Sequence, residues 1–329
     1  MKRFHCRCGL TIHFDDHVCV RCGRQLAFDA TTQTMVAEEY PGSGLDFCSY
    51  RPSDSACNWI ANSPDGVCLS CRSSRIIPAL SKPENRDRWR TLERAKRRLL
   101  YDLMRQGLPV DISRMHFAFK EDRRTNPDVD DDHVLTGHDN GLITINAAEA
   151  DDVYREQMRV QMGEPYRSVL GHFRHESGHF YFHEIVPVER LDEARALFGD
   201  ERAPYDPALR NYYENGPAPN WPESFISGYA SAHPAEDWAE CWAHYLHMQA
   251  ALETAYYNDL IDTDAGCRDD WQQVFIKLAL ALNGVQRSLG LRDAYPFVIT
   301  SRIAEKLAFV HDVVQPFSRP QSASVSVSG

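Results

Sequence analysis

The chain has 329 residues, 43% of them hydrophobic, which is enough for one sizeable core and a smaller module. Its net charge of -11 argues against a general nucleic-acid binder, and no apolar run approaches the roughly 20 residues that cross a bilayer. The N-terminal sequence MKRFHCRCG lacks the apolar segment of a secretory signal, so we expect a cytoplasmic protein.

The N-terminal segment is rich in cysteine, with eight of the ten cysteines before residue 72 in spacings typical of metal ligands. The first four are Cys6, Cys8, Cys19 and Cys22. Each pair ends in Cys-Gly, where glycine lets the backbone turn tightly around a thiolate. We predict a structural zinc ion here, with a redox pair or a disulfide as the alternative. The nearby histidines that could replace Cys6 are His5, His13 and His17.

The other four clustered cysteines are Cys48, Cys57, Cys68 and Cys71. Cys68-x-x-Cys71 is a good half-site, although Cys48 and Cys57 are widely spaced. Because this segment is too short to bury much surface, a second structural zinc is the best use of four thiols.

Zinc ribbons often bind nucleic acid, so the charge of this module matters. Residues 1–75 carry 8 basic and 8 acidic side chains, and two zinc ions with eight thiolates would add negative charge. The module thus lacks the basic surface that phosphate binding needs. Protein binding, substrate selection or a lid over the second domain is favoured instead.

After a linker at residues 81–84, the spacing predicts an amphipathic helix over Arg88–Gln106 that ends at Gly107. Its basic residues favour a solvated face over an RNA contact. Met115–Lys120 alternates as a strand, and Asn-Gly predicts a hairpin between Val134–Thr136 and Leu142–Asn146. The edge of such a sheet could pair with an extended peptide.

Gly171–Tyr181, GHFRHESGHFY, contains an H-E-x-x-H motif on a predicted helix. His175 and His179 are four residues apart and can offer two imidazoles to one zinc ion, while Glu176 can reach a water bound to that metal. Chance occurrence of the motif is the alternative.

The stretch from about 198 to 224 is rich in Pro and Asn and is expected to be irregular, forming a wall or lid of a cleft. A helix is predicted from Pro234 towards Met248, and two more around Val274–Leu289 and Ser301–Val314. Cys241 and Cys267 are expected to be buried thiols, and the Ser-rich end from Gln315 to be disordered.

A catalytic zinc needs a third protein ligand beyond the two histidines. We predict Glu236 as that ligand and Glu240, four residues later on the same face, as the partner of a ligand histidine. Asp237 points about 100° away on the helix, and His183 lies a full turn beyond His179. The alternative is that both glutamates are ordinary helix carboxylates.

H-E-x-x-H followed by E-x-x-x-E on a later helix resembles the gluzincin metallopeptidases, and the spacing of Tyr229 and Glu236 is similar to that in lethal-factor-type peptidases. From residue 4 to about 314, the chain resembles a bacterial family of zinc-binding metallopeptidases with an N-terminal zinc ribbon. The resemblance implies zinc ligation by His175, His179 and Glu236, with Glu176 as the general base. It further implies that Tyr229 stabilises the oxyanion.

The expected fold is α+β: a double zinc-ribbon module at residues 1–78, a mainly helical zincin-like domain with a small β-sheet at 79–315, and a disordered tail at 316–329. The expected function is zinc-dependent hydrolysis of peptide bonds in a peptide or protein substrate, with one catalytic and two structural zinc ions. His233 or His244 is an alternative proton donor. The competing hypothesis is a catalytically silent zinc-ribbon adaptor that binds a protein partner; neither hypothesis involves nucleic acid or a membrane.

Overall fold

A computed structural model describes residues 1–51, 57–124, 126–262, 266 and 269–318. The predictions for Cys267 and for residues 319–329 therefore lie outside the described residues. The architecture is α+β, as predicted: a cysteine-rich module of short strands precedes a mostly helical domain with a small sheet. Within the described residues, no helix is both long enough and apolar enough to cross a bilayer.

The cysteine-rich module contains two short hairpins and one helical turn. The hairpins are β1 (Phe4–His5) with β2 (Thr11–Ile12), and β3 (Leu26–Asp29) with β4 (Thr34–Ala37); the turn is α1 (Leu69–Arg72). A small aromatic core joins them, with the rings of Phe14 and Trp59 lying 4.9 and 5.0 Å from Phe28. So few buried side chains supply little stability by themselves, which is why a module of this size needs metal sites.

Helix α2 (Pro83–Arg105) packs against the module on one face. Its Tyr101 ring lies 5.1 Å from Phe14 and 5.8 Å from Phe28, so one hydrophobic core continues from the module into the helical domain. Elsewhere on α2, Asp102 forms a buried ion pair of 2.7 Å with Arg174.

The predicted basic surface of α2 is engaged in ion pairs within the molecule. Arg94 and Arg98 both contact Asp15 of the cysteine-rich module, at 3.0 and 2.7 Å. Arg88 pairs with Asp151 at 2.7 Å. The guanidinium groups of Arg94 and Arg98 therefore tie the helix to the cysteine-rich module, whereas that of Arg88 pairs within the helical domain. These contacts favour neither the RNA-binding alternative nor a fully solvated face.

The small sheet consists of β5 (Ser74–Ile76), β6 (His116–Lys120), β7 (Gly137–Asp139) and β8 (Leu142–Asn146). Their spatial order is β5-β6-β8-β7, and only the β7–β8 pair is antiparallel. Asn140 and Gly141 join that pair with φ angles of 46° and 83°, as a two-residue type I′ turn requires. The turn fixes the register, so the first hairpin strand is β7 and the prediction of Val134–Thr136 was wrong.

The further helices are α3 (Asp152–Gln161), α4 (Val169–Ile185), α5 (Leu191–Phe198), α6 (Tyr205–Asn215), α7 (Trp221–Ser224), α8 (Pro234–Tyr257), α9 (Trp271–Ser288) and α10 (Ser301–Ser318). The stretch from 198 to 224 was wrongly predicted to be irregular. Pro204 immediately precedes α6 and Pro222 lies in the first turn of α7, so prolines begin these helices instead of breaking them. Both α8 and α10 extend beyond their predicted ends.

A glycine allows the two central helices, α4 and α8, to approach closely. A Cβ atom at Gly178 would lie 2.9 Å from Cα of Ala239 and 3.0 Å from the Trp242 ring. The indole nitrogens of Trp238 and Trp242 donate hydrogen bonds to Gly178 O and Ser177 Oγ, at 2.8 and 3.0 Å. This packing brings the H-E-x-x-H face of α4 against the first turns of α8.

Candidate metal centre

Both predicted groups of cysteines converge. In each group the four sulfur atoms lie within 4.8 Å of one another. The sulfur–sulfur distances are 3.6 Å for Cys6 with Cys22, 3.6 Å for Cys8 with Cys19 and 3.5 Å for Cys57 with Cys68. Tetrahedral zinc with bonds of about 2.3 Å separates its sulfurs by about 3.8 Å. The donor type and the spacing therefore fit zinc. The sulfur–sulfur distances are far too long for disulfide bonds.

The local backbone supports these cysteines. Gly9 and Gly23, the glycines that follow Cys8 and Cys22, have φ angles of 82° and 72°. This left-handed conformation closes each turn without a Cβ clash. In the second group, the backbone N–H of Cys68 donates to the sulfur of Cys48 at 3.4 Å.

A third group of donors lies where α4 meets α8. The ligand atoms of His175, His179 and Glu236 lie within 4.8 Å of one another. Nε2 of His175 is 2.9 Å from one oxygen of Glu236, and Nε2 of His179 is 3.6 Å from the other. Burial alone would raise the pKa of Glu236, but the hydrogen bond from His175 and the nearby ring of His179 hold it well below its usual value. Two imidazoles and an ionised carboxylate fit the donor set of a catalytic zinc.

Glu240 contacts the opposite side of the His175 ring. One of its oxygens lies 2.7 Å from Nδ1 of His175, and the other accepts a hydrogen bond of 2.6 Å from the Ser227 hydroxyl. A carboxylate at Nδ1 orients the imidazole and leaves Nε2 for a metal. Ser227 was not singled out in the sequence, since a serine in a loop gives no signal of its own.

Glu176 lies beside this group and faces the cleft. Its carboxylate makes no hydrogen bond to the part of the chain that the structure describes. The side chain is largely buried, and this burial raises the pKa of Glu176 above its ordinary value. An unengaged carboxylate of raised basicity is suited to accept a proton.

Two tyrosines approach the donor group. The ring of Tyr229 lies 5.9 Å from that of His175. The hydroxyl of Tyr205 donates a hydrogen bond of 2.6 Å to Glu236. Sequence reasoning missed Tyr205, which lies on α6 in the stretch that was expected to be irregular.

The remaining sequence candidates lie outside the converging group. Asp237 forms a buried ion pair of 2.5 Å with Lys306, which turns its carboxylate away. His233 caps the N-terminus of α8 by accepting a hydrogen bond from a backbone N–H at 3.1 Å. His244 is 2.8 Å from a tyrosine hydroxyl. His183 is not among the donors that converge within the described residues.

A cleft of about 580 Å³ opens beside the donor group. Glu176 and Tyr229 line it, together with residues 133–136, which lead into the edge strand β7. In the described part of the chain, every lining residue falls between positions 133 and 297. The cysteine-rich module packs against α2 instead, and the structure gives no support to the expectation that this module forms a lid.

A cysteine-rich zinc-ribbon module followed by a mainly helical domain with an H-E-x-x-H helix defines the class, a zinc-ribbon protein of the metallopeptidase type. Residues 85–313 match the family described as "Putative zinc-binding metallo-peptidase", and residues 3–82 match a zinc-ribbon domain. The first match covers more than half of the chain, so the chain belongs to this metallopeptidase family.

Among curated proteins, the chain is similar to an uncharacterized protein of Mycobacterium bovis and to uncharacterized proteins of two Mycobacterium tuberculosis strains. In each comparison, 37% of residues are identical over 338 positions, and the alignment covers 95% of both chains. No solved structure matches the chain. Because the alignments with the mycobacterial proteins cover 95% of the chain, that similarity extends through both the zinc ribbon and the helical domain.

Proposed function

We propose that the protein is a zinc-dependent peptidase that hydrolyses peptide bonds, with Glu176 as its general base. The observation that supports this most is the convergence of His175, His179 and Glu236 next to a cleft into which Glu176 projects. We assign one zinc ion to this group and one structural zinc to each cysteine group. The eight clustered thiols suit a reducing compartment, and we assign the protein to the cytoplasm on that ground.

The proposed reaction uses residues that already face the cleft. When bound, zinc supplies a Lewis acid that makes a nearby water acidic enough to ionise near neutral pH. Glu176 accepts the proton as the water oxygen forms its bond to the scissile carbonyl carbon. The Tyr229 hydroxyl donates a hydrogen bond to the oxyanion that develops on the carbonyl oxygen. Glu176 then gives the proton to the leaving nitrogen as the C–N bond breaks.

Two carboxylates hold the geometry without entering the reaction. Glu236 completes the ligand set, and Glu240 fixes the ring of His175 through Nδ1. A structural zinc site is closed by four protein ligands and has no use for a base. Three donors converge within the described residues, and a free carboxylate lies beside them, which favours the peptidase over the silent adaptor.

The substitution Glu176→Gln tests the proposal. The amide keeps the size of the side chain but accepts no proton, so we expect cleavage rates to fall about 10²- to 10⁴-fold. Zinc content should match that of the wild type, because Glu176 is not a ligand. The measurement is an unbiased cleavage-site profile on a peptide library, with metal analysis on the same samples. Full activity of Glu176→Gln would refute the general-base role.

A further inference from the structure

The cleft extends from the donor group along the two central helices. On α8, Glu240 is followed by Ala243 one turn later and by His247 a further turn on, and all three line the cleft. On α4, Gly171 lies one turn before His175 and also lines it. Gly171 thus lies about one helical turn, roughly 5 Å, from the proposed ligand His175, and Ala243 lies about two turns, roughly 10 Å, from the proposed ligand Glu236. The small residues therefore line the part of the cleft that leads away from the donor group along both helices.

Four rings bound this space: Tyr166, His244, His247 and Phe297. His244 lies 4.3 Å from Phe297 at an interplanar angle of 83°, and Tyr166 lies 5.8 Å from His247 at 79°. Burial lowers the pKa of His244 to about 4 and that of His247 to about 3, so both rings are neutral at pH 7. We call the space between Gly171, Ala243 and these four rings the side pocket.

The charged groups along this part of the cleft are paired within the wall. Arg167 forms ion pairs with Glu149 and, at 3.0 Å, with Glu164. The guanidinium of Arg174 is bound to Asp102 at 2.7 Å. A charged side chain entering the side pocket would lose its hydration without gaining a counter-charge, which is strongly unfavourable.

We propose that the side pocket receives an aromatic side chain of the peptide, at a position next to the scissile bond. This inference rests on the proposed function, because there is a scissile bond only if the protein cleaves peptides. The binding of the aromatic side chain can nevertheless be measured separately from cleavage. Edge-to-face contacts with the existing perpendicular rings favour an aromatic guest over an aliphatic one of similar area. The absence of a side chain beyond Cβ at Ala243, which lines the cleft, provides the depth that such a ring needs.

The experiment compares two blocked hexapeptides of alanine that differ at one central residue, Phe or Ala. Cleavage of both is measured as kcat/KM with the zinc-loaded full-length protein, and binding of both is measured with the Glu176→Gln protein by calorimetry. We expect the Phe peptide to be cleaved and bound at least tenfold better than the Ala peptide.

Two variants change the side pocket in opposite ways. Ala243→Leu fills it and should lower the Phe-to-Ala ratio at least tenfold in both assays. Tyr166→Ala removes a partly exposed wall, so it does not endanger folding, and should lower the ratio about three- to tenfold. Ala281→Leu adds the same side chain at an exposed position of α9 and serves as the matched control, with an expected wild-type ratio.

The outcomes separate the two proposals. If the wild type cleaves peptides but both variants keep its Phe-to-Ala ratio, the side pocket is refuted and the peptidase remains. If no peptide is cleaved but Ala243→Leu abolishes a binding preference for Phe, the peptidase fails and the pocket remains. Equal binding of both peptides to the Glu176→Gln protein, together with equal cleavage by the wild type, would overturn the inference.

Discussion

The hydroxyl of Tyr205 contacts Glu236, the carboxylate that we assign to zinc, through a hydrogen bond of 2.6 Å. Hydrogen bonds of this kind fix the orientation of a ligand carboxylate, and their loss typically weakens metal binding 10- to 100-fold. We therefore expect Tyr205→Phe to raise the dissociation constant of the most weakly held zinc about tenfold. Competition with a chelator of known affinity measures this constant.

Tyr213→Phe provides the control for that prediction. Tyr213 lies on the same helix, α6, and lines the cleft near Tyr229, but it makes no hydrogen bond to Glu236 within the described residues. The zinc affinity of the Tyr213→Phe protein should therefore equal that of the wild type. Equal affinities for Tyr205→Phe and Tyr213→Phe would show that the contact to Glu236 does not stabilise the metal group.

His247 makes folding stability depend on pH. Burial lowers its pKa to about 3, whereas in the unfolded chain a histidine titrates near 6.5. The unfolded state thus binds more protons between these values. The stabilisation is complete above about pH 6.5 and declines as the pH falls towards 3, by about 2 kcal/mol at pH 5.

His247→Gln removes this titration. We expect the difference in unfolding free energy between wild type and variant to shrink by about 2 kcal/mol from pH 7.5 to pH 5. Denaturant unfolding at both pH values provides the measurement, and only the change with pH is interpreted. A difference that stays constant over this range would mean that the ring of His247 is not kept neutral by the fold.

At the scale of whole elements, the crossing of α4 and α8 positions the metal group. Gly178→Ala would place Cβ 2.9 Å from Cα of Ala239. Because Cα is a backbone atom, no rotation of a side chain can relieve this clash. We expect the helices to separate and the free energy of unfolding to fall by about 1 to 3 kcal/mol, despite the better helix propensity of alanine. Zinc affinity at the group should fall as well, because Glu236 and Glu240 move with α8.

Gly284→Ala is the matched control for the helix crossing. Gly284 lies inside α9, and a Cβ atom there would meet open space. Helix propensity acts alone at this position, so the free energy of unfolding of Gly284→Ala should rise by up to about 1 kcal/mol. If both glycine variants are stabilised equally, close approach of α4 and α8 is not what requires Gly178.

Several of these elements follow from sequence periodicity. The four-residue spacing of His175 and His179, and that of Glu236 and Glu240, sets one face on each helix, and the structure brings those faces together. Spacing also indicated the cysteine groups. Tyr205 and Ser227 could not be predicted, because tertiary packing brings them to the site from α6 and from a loop without periodicity. The wrong position of the first hairpin strand has a different, local origin, since the two-residue turn at Asn140 and Gly141, and not the apolar pattern of 134–136, determines which residues pair.

At the scale of the whole molecule, the cysteine-rich module and the helical domain share one hydrophobic core through Tyr101. If zinc holds each cysteine group, losing one ion should destabilise more than the module itself. Metal binding supplies folding free energy in small zinc modules.

Cys68→Ser removes a ligand of the second group and should reduce the zinc content from three ions per chain to two. We expect the midpoint of thermal unfolding to fall by several degrees, since each lost kcal/mol shifts it by about 2 to 4 °C in domains of this size.

Cys241→Ser separates zinc loss from the simple loss of a buried thiol. Cys241 is buried on α8, and its sulfur donates to Asp237 at 3.8 Å, outside both cysteine groups. This variant should therefore keep three zinc ions, as counted by native mass spectrometry and by metal analysis of the same samples. Its melting temperature should respond only to the lost packing. If Cys68→Ser also keeps three ions, the second cysteine group does not bind zinc, and the stability of the shared core must come from packing alone.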